Sequence, residues 1–248
     1  GTCSLCANTN RSNNTAVGSC SLRAGGAGHN TAVGSNSLPF TTNGFGNAAV
    51  GACSMYTNTI GGYNAAVGYG SMYSNTWGCF NAALGTYGLC SNTTGYGNSA
   101  IGYLTLAFNT TGSNNTAVGY GSMRYGAGGC SNTAVGALSI CFNTSGIGNT
   151  AVGACSLRNT TGSNNVGLGT FSLTKNTTGY GNTAVGFSSL CANTTGTNNT
   201  ALGYGAAFSN TTAFNNTAIG WCALRSNTTG VQNTVVGYGA AQFGNGGS

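Results

Sequence analysis

Asn14-Thr15-Ala16-Val17-Gly18 returns down the chain with small changes, as Asn30-Thr31-Ala32-Val33-Gly34, Asn98-Ser99-Ala100-Ile101-Gly102 and Asn199-Thr200-Ala201-Leu202-Gly203. The closing glycines run from Gly18 to Gly237 at intervals of 17 residues, shortened to 16 only between Gly18 and Gly34 and between Gly153 and Gly169. Counting back from Gly18 reaches Gly1, so the repeat is in register from the first residue. A short fixed period held over a whole chain marks a solenoid, in which each repeat packs only on its neighbours. It also directs attention to length, surface and assembly, and away from a single catalytic pocket.

One full unit shows the internal logic. Gly102 to Val118 reads Gly-Tyr-Leu-Thr-Leu-Ala-Phe-Asn-Thr-Thr-Gly-Ser-Asn-Asn-Thr-Ala-Val. Two turn signals divide it, the closing glycine and the Asn-Thr-Thr-Gly segment, since Gly and Asn accept the positive φ angles of tight corners. The stretches between them have the length of short strands. No stretch carries an extended i, i+3, i+4 apolar pattern, so helices are not expected. The sequence therefore predicts an all-β fold: a parallel β-solenoid, or β-roll, of about fourteen 17-residue rungs with two short strands per rung. The array is expected to fill residues 1–241, with 242–248 as a terminal tail or junction. Stacked at about 4.8 Å, the rungs would form a rod of roughly 70 Å.

The apolar columns suggest a core. The residue before each glycine is Val, Leu or Ile (Val17, Val67, Leu84, Ile101), and the fourth residue after it is mostly Leu or Met (Leu22, Met55, Leu106). These two columns are expected to face one another across a thin interior. The alternating alanines (Ala16, Ala49, Ala117, Ala151) are then expected to face outward, where small residues would admit a neighbouring chain. The asparagine four before each glycine recurs in every rung: Asn14, Asn30, Asn47, Asn64, Asn81, Asn98, Asn115, Asn132, Asn149, Asn165, Asn182, Asn199, Asn216 and Asn233. At strand spacing its amides can bond up and down as a structural ladder.

The repeats resemble the head repeats of trimeric autotransporter adhesins, with Asn98-Ser99-Ala100-Ile101-Gly102 and Asn199-Thr200-Ala201-Leu202-Gly203 as the nearest matches. They are also similar to Asn-Thr-Ala-Val-Gly arrays in fibre proteins of phages and giant viruses. The resemblance covers essentially the whole chain. It implies a parallel β-roll, usually in a three-chain bundle, serving as an extracellular adhesin or fibre. The unit here is longer than the adhesin repeat. A looser likeness to curli-type amyloid subunits lies in Gly44 to Ala49 and Gly146 to Ala151, without that family's glutamine ladders.

Composition narrows the chemistry. The 248 residues contain no Asp or Glu and one histidine, His29, so carboxylate dyads and Ser-His-Asp triads cannot be assembled and no enzyme activity is expected. His29 reads as a solvated corner residue. The formal charge of +6 comes from six scattered Lys and Arg residues and makes no nucleic-acid footprint. Gly and Asn interrupt every apolar run, so no membrane insertion is expected. Neither a metal nor another cofactor is implied. With no signal peptide at its start, the sequence reads as a segment of a mature chain whose export signal, anchor or caps would lie outside it.

Eleven cysteines fall into three columns. Only Cys3 and Cys20 stack on adjacent rungs in one column, which makes them the candidate disulfide; the others read as small apolar fillers or interchain links. The single Cys3-Ser4-Leu5-Cys6 pair lacks the second pair or histidines of a zinc site. The column five after the glycine holds Arg23, Arg124, Arg158 and Arg225 as well as Cys, Tyr and Pro, and is expected to face outward as a variable contact face. Tyr69, Tyr103, Tyr120, Tyr204, Trp221 and Tyr238 form an aromatic stripe, either packing at an edge or a platform for a glycan or other partner. Asn-x-Thr/Ser sequons line the second corner at Asn92, Asn109, Asn143, Asn159, Asn176, Asn193, Asn210 and Asn227, and read either as turn chemistry or as candidate glycosylation sites.

These features predict a rigid shaft of an extracellular fibre or surface adhesin, on a cell or a virion, whose partners are further copies of itself as a homotrimer or an end-to-end filament. A host-surface or glycan ligand is a further possible partner. The alternative is an end-to-end filament subunit, glycosylated or amyloid-like, in which open strand edges template addition. An ice-binding solenoid is a third reading, supported by abundant threonine and weakened because no Thr-x-Thr face is maintained.

Overall fold

The computed structural model describes residues 1–7, 12–25 and 27–243. They form two compact units, Gly1–Gly128 and Gly129–Ser248, and contain no helix, hence none long and apolar enough to cross a membrane. Each unit is a succession of rungs with one three-residue strand apiece. The first holds β1 (Thr15–Val17), β2 (Thr31–Val33), β3 (Ala48–Val50), β4 (Ala65–Val67), β5 (Ala82–Leu84), β6 (Ser99–Ile101) and β7 (Thr116–Val118), parallel and adjacent in chain order. The second holds β8 (Thr133–Val135), β9 (Thr150–Val152), β10 (Val166–Leu168), β11 (Thr183–Val185), β12 (Thr200–Leu202), β13 (Thr217–Ile219) and β14 (Thr234–Val236), ordered the same way. Like residues face like across each pair, as in Ala49↔Ala66 and Ala201↔Ala218. The parallel β-solenoid expected from the repeat is thus the fold of both units.

The second stretch of each rung is not a strand. Its second and fourth residues after the glycine take left-handed backbone, as at Cys53 (φ 56°) and Met55 (φ 50°), or Leu104 (φ 54°) and Leu106 (φ 50°). The resulting turns still bond rung to rung. In the rung starting at Gly68, the Gly68 and Gly70 N–H groups donate back to Val50 and Ala52 carbonyls, while those of Met72 and Ser74 donate forward to Gly88 and Cys90. The N–H groups of Thr76, Trp77 and Gly78 converge on the Thr93 carbonyl at 3.0–3.1 Å. The ladder therefore continues around the rung, and buried backbone groups are satisfied without a second sheet.

The core also differs from the expected one. Ala32, Ala49, Ala66, Ala100, Ala134 and Ala184 are fully buried, while Leu84 is 53% and Ile101 47% exposed. The alanines pack inward opposite Leu22, Leu38, Met55, Met72, Leu157 and Leu173, all fully buried. Strand parity gives the reason. Side chains alternate across a strand, so the buried asparagine just before each strand and the middle residue of the strand share one face. Thr and Val must then point out. Leu and Met already reach across the narrow interior from the turn side, which leaves room for only a methyl group on the strand side.

The corner at the closing glycine admits no side chain. Gly68 has φ 132°, and a Cβ there would lie 2.6 Å from the Gly85 carbonyl oxygen of the next rung. Gly68→Ala is expected to combine backbone strain of about 1–3 kcal/mol with this clash. A thermal melt followed by circular dichroism should show a clearly lowered midpoint, and an unchanged one would contradict the stacked corner.

Candidate functional site

No described rung gathers acid–base or metal-binding groups, so the candidate site is a set of repeating surfaces positioned by two internal amide ladders. The first is the asparagine column before the strands. In the first unit, the backbone N–H of Asn81 donates to the side-chain oxygen of Asn64 at 2.9 Å, and Asn98 repeats this toward Asn81. Each side-chain amide donates in two directions: Asn81 Nδ2 bonds Asn64 Oδ1 at 3.2 Å and the Gly95 carbonyl at 2.8 Å. The run passes through Asn14, Asn30, Asn47, Asn64, Asn81, Asn98 and Asn115. In the second unit it passes through Asn132, Asn149, Asn165, Asn182, Asn199, Asn216 and Asn233.

The second ladder is formed by the Asn-Thr-Thr-Gly corner, and of the two readings of its sequons it favours turn chemistry. Asn92 Nδ2 bonds Asn75 Oδ1 at 2.8 Å and the Gly95 carbonyl at 3.0 Å; Asn193 and Asn210 behave alike. Asn92, Asn109, Asn143, Asn176, Asn193, Asn210 and Asn227 are all buried. Their side-chain nitrogens, the atoms that a glycan would occupy, are turned into the protein and hydrogen-bonded. Asn159 is the exception. It lies in the short rung, is exposed, and leaves its ladder place to Thr160, whose hydroxyl accepts from Asn176 at 3.2 Å.

The two ladders hold the strand face flat and outward. Thr200 and Leu202 of β12, Thr116 and Val118 of β7, and Leu84 and Ile101 point away from the core, with the buried alanines between them. No strand of either unit carries a charged residue. In the first unit, Ala65, Ala82 and Ser99 replace threonine, and with Val67, Leu84 and Ile101 they line a shallow apolar trough of about 270 Å³.

The opposite side carries the rings and cations. The arginines five after the glycine cover aromatic rings, with Arg23 5.1 Å from Phe40 and Arg225 5.5 Å from Phe208. Arg124 lies 5.2 Å from Tyr125. The column is mixed where an outward face was expected: Arg23 is exposed and Arg124, Arg158 and Arg225 are half-buried against neighbouring rings, while Pro39, Ala107 and Cys141 in the same column are buried. The aromatic stripe is a true stack in the second unit. Phe187, Tyr204, Trp221 and Tyr238 follow one another at 5.3, 6.1 and 4.7 Å with ring planes within 10°. Rings stacked one per rung cover one another's faces within the stack, while Tyr238 at its end stays largely exposed.

A cleft of about 350 Å³ in the first unit is lined by Cys53, Tyr69, Gly70, Tyr73, Ser74, Tyr87, Cys90 and Ser91. Burial pushes the Cys90 thiol up from its ordinary value, and desolvation together with the Tyr69 hydrogen bond raises the Tyr87 phenol. Both shifts favour the protonated form of these two groups at neutral pH. Cys3 and Cys20 are free thiols and are not bonded to one another. Among the described residues no three His, Cys, Asp or Glu side chains are grouped to hold a metal. His29 is exposed at its corner, 3.4 Å from Asn13 and against the Phe45 ring. Of the expected tail, Gln242 still bonds within the last rung, and 244–248 lie outside the described residues.

Comparison with protein-family models, curated proteins and solved structures returned no match to this chain.

The ladders make a sharp prediction. Asn81→Ala removes the acceptor for the Asn98 amides and a donor to Gly95. Each buried group left unpaired costs about 1–3 kcal/mol, so Asn81→Ala is expected to destabilise far more than Asn114→Ala at the exposed neighbouring corner. Denaturant unfolding of the two variants compares them directly.

Proposed function

We propose that this chain is a structural, non-catalytic shaft of an extracellular fibre or surface adhesin that assembles with other copies of itself. The observation that carries the proposal is the outward strand face. It presents stiff β-branched side chains, repeats at the rung spacing, and bears no charge on any strand. Val, Ile and Thr have little χ1 freedom to lose on contact, so such a face associates at small entropic cost. A second copy offers the same rung period and an equally uncharged face, so no ion is stripped of water without a partner. This face, in place of the buried alanines, is the contact surface of a homotrimer. The alternative assembly is end to end, in which each fibre has a single chain in cross-section.

Mass per unit length of the isolated particle separates the two. A threefold multiple of the single-chain value is the expected result; a single-chain value in long fibres selects end-to-end growth, and excess over whole chains points to attached glycan. The double variant Leu84→Lys/Ile101→Lys places charge on an already exposed face and should leave the fold intact while reducing the species in analytical ultracentrifugation to one chain. Unchanged association would remove this face from the interface.

One observation favours a second reading, an ice-binding face. In the second unit Thr133, Thr150, Thr183, Thr200, Thr217 and Thr234 begin six of the seven outward-facing strands, with Val166 interrupting the row at β10 and Val, Leu or Ile two residues on in each. The regular array is therefore Thr-x-Val, not Thr-x-Thr. Thermal hysteresis in dilute solution would select it, and ordinary freezing would eliminate it.

A further inference from the structure

The corner immediately before the asparagine ladder is left-handed in both units, at Asn114 (φ 58°), Asn198 (φ 53°) and Asn215 (φ 55°) among others. Asn is one of the few side chains that enter this region readily. These three asparagines differ from those of the Asn-Thr-Thr corner in every respect that matters to a modifying enzyme. They are exposed. Their carboxamides hold no hydrogen bond within the protein, whereas Asn92, Asn193 and Asn210 each spend the amide nitrogen on a buried carbonyl. In Asn114, the side-chain oxygen lies over the Cα side of Gly97 on the preceding rung, which leaves the nitrogen to solvent; Asn198 sits likewise over Gly181.

Each of the three also begins a sequon of its own: Asn114-Asn115-Thr116, Asn198-Asn199-Thr200 and Asn215-Asn216-Thr217. The middle residue belongs to the buried ladder, and the third is the outward-facing first residue of β7, β12 or β13. Its hydroxyl has no partner in the protein. Acceptor amide and hydroxyl therefore lie on the outer surface at one corner.

We propose that Asn114, Asn198 and Asn215 are N-glycan acceptors of this chain, joined by the exposed Asn159, and that the seven buried second-corner asparagines are not; Asn13, which begins Asn13-Asn14-Thr15 at the equivalent corner (φ 63°), is set apart because its amide nitrogen lies 3.4 Å from His29 Nε2. The assignment rests on the extracellular part of the proposed function. The donor is an oligosaccharide diphosphate on a lipid carrier. A bond forms between Nδ2 and the anomeric carbon as the bond from that carbon to the diphosphate oxygen breaks. The diphosphate leaves with the electron pair, and one amide proton passes to a base of the transferase. A transferase acting on the emerging chain meets both sets of sequons. Sugar on a ladder asparagine replaces the proton that bonds the next rung and places a bulky polar group in a closed interior, so that chain leaves the folded pool. Sugar on the left-handed corners disturbs neither ladder.

Asn164 provides an internal control. It occupies the same corner with φ 58° and is exposed, but Val166 stands where the sequon requires Thr or Ser. The full chain is secreted from yeast, the folded fraction is isolated, and glycans are released by peptide N-glycosidase in heavy-oxygen water, which marks each former acceptor. Peptide mapping is expected to find label at Asn114, Asn159, Asn198 and Asn215, with none at Asn164 and none at the buried seven. Label on the buried seven in folded protein, or its absence from the three corners, overturns the assignment. The variant Asn114→Gln/Asn198→Gln/Asn215→Gln should lose the three glycan increments from the intact mass while its melting midpoint stays in place. Mass per unit length of the sugar-free protein reads the shaft proposal independently: assembly without occupied corners removes only this assignment, and occupied corners on a lone chain remove only the shaft.

Discussion

At the second corner of most rungs one carbonyl accepts two side-chain amides, and the architecture depends on that junction. Gly95 receives Asn81 from the preceding rung at 2.8 Å and Asn92 from its own rung at 3.0 Å. Gly78 and Gly196 make the same junction. A carbonyl oxygen has two lone pairs and can hold both donors. The junction ties the ladder beside the strands to the ladder beside the turns, so the two long sides of the rung are locked together from within. A three-residue strand is too short to be stable alone. Here it is carried by two amide columns, the first running through each unit and the second interrupted at Thr41, Gly126 and Thr160, and chains of such bonds polarise one another in a medium of low dielectric constant.

The same column fixes which residues face outward. Once the ladder asparagine is inside, alternation sends the next residue out, the alanine in and the valine out. Hydropathy alone suggests the reverse, because valine is a better core residue than alanine. The sequence did contain the corrective signal. The alanine position varies only at Gly167 and Val235, whereas its neighbours range over Thr, Ala, Ser and Val on one side and Val, Leu and Ile on the other. A position confined by packing on both sides holds one size; an exposed one drifts. Gly167 shows the tightness of the fit, since a Cβ there would sit 2.6 Å from the Ser156 hydroxyl in the rung that is one residue short.

Period, corners and the first ladder were legible because repetition multiplies a weak local signal. The turn side was not, since Leu and Met are poor candidates for left-handed backbone, at about 1–2 kcal/mol each. That cost is outweighed only after burial of the same side chain, worth about 1.5–3 kcal/mol, and burial is a tertiary fact. The sequons mislead for a related reason. Asn-Thr-Thr-Gly has the composition of an exposed corner, and its threonines do face out at Thr94 and Thr195, yet the asparagine side chain folds back over the corner and into the ladder. Linear sequence specifies the corner without specifying on which side of it the amide lies.

The chemistry of the ladders also bears on the missing acids. Amide donors and acceptors alternate along a column, so neutral Asn extends it without limit. A carboxylate has acceptors only. Two of them on adjacent rungs, about 4.8 Å apart, repel by about 3–4 kcal/mol even at an effective dielectric constant of 20, and each would face another acceptor where Asn offers its N–H groups. The penalty recurs at every rung, so a repeat of this period excludes Asp from both interior columns. What remains on the surface is shaped by the same stacking: arginine finds no carboxylate and settles on aromatic rings, as Arg23 does on Phe40 and Arg225 on Phe208. Cations are thereby drawn to the turn side, and the strand face is left without charge.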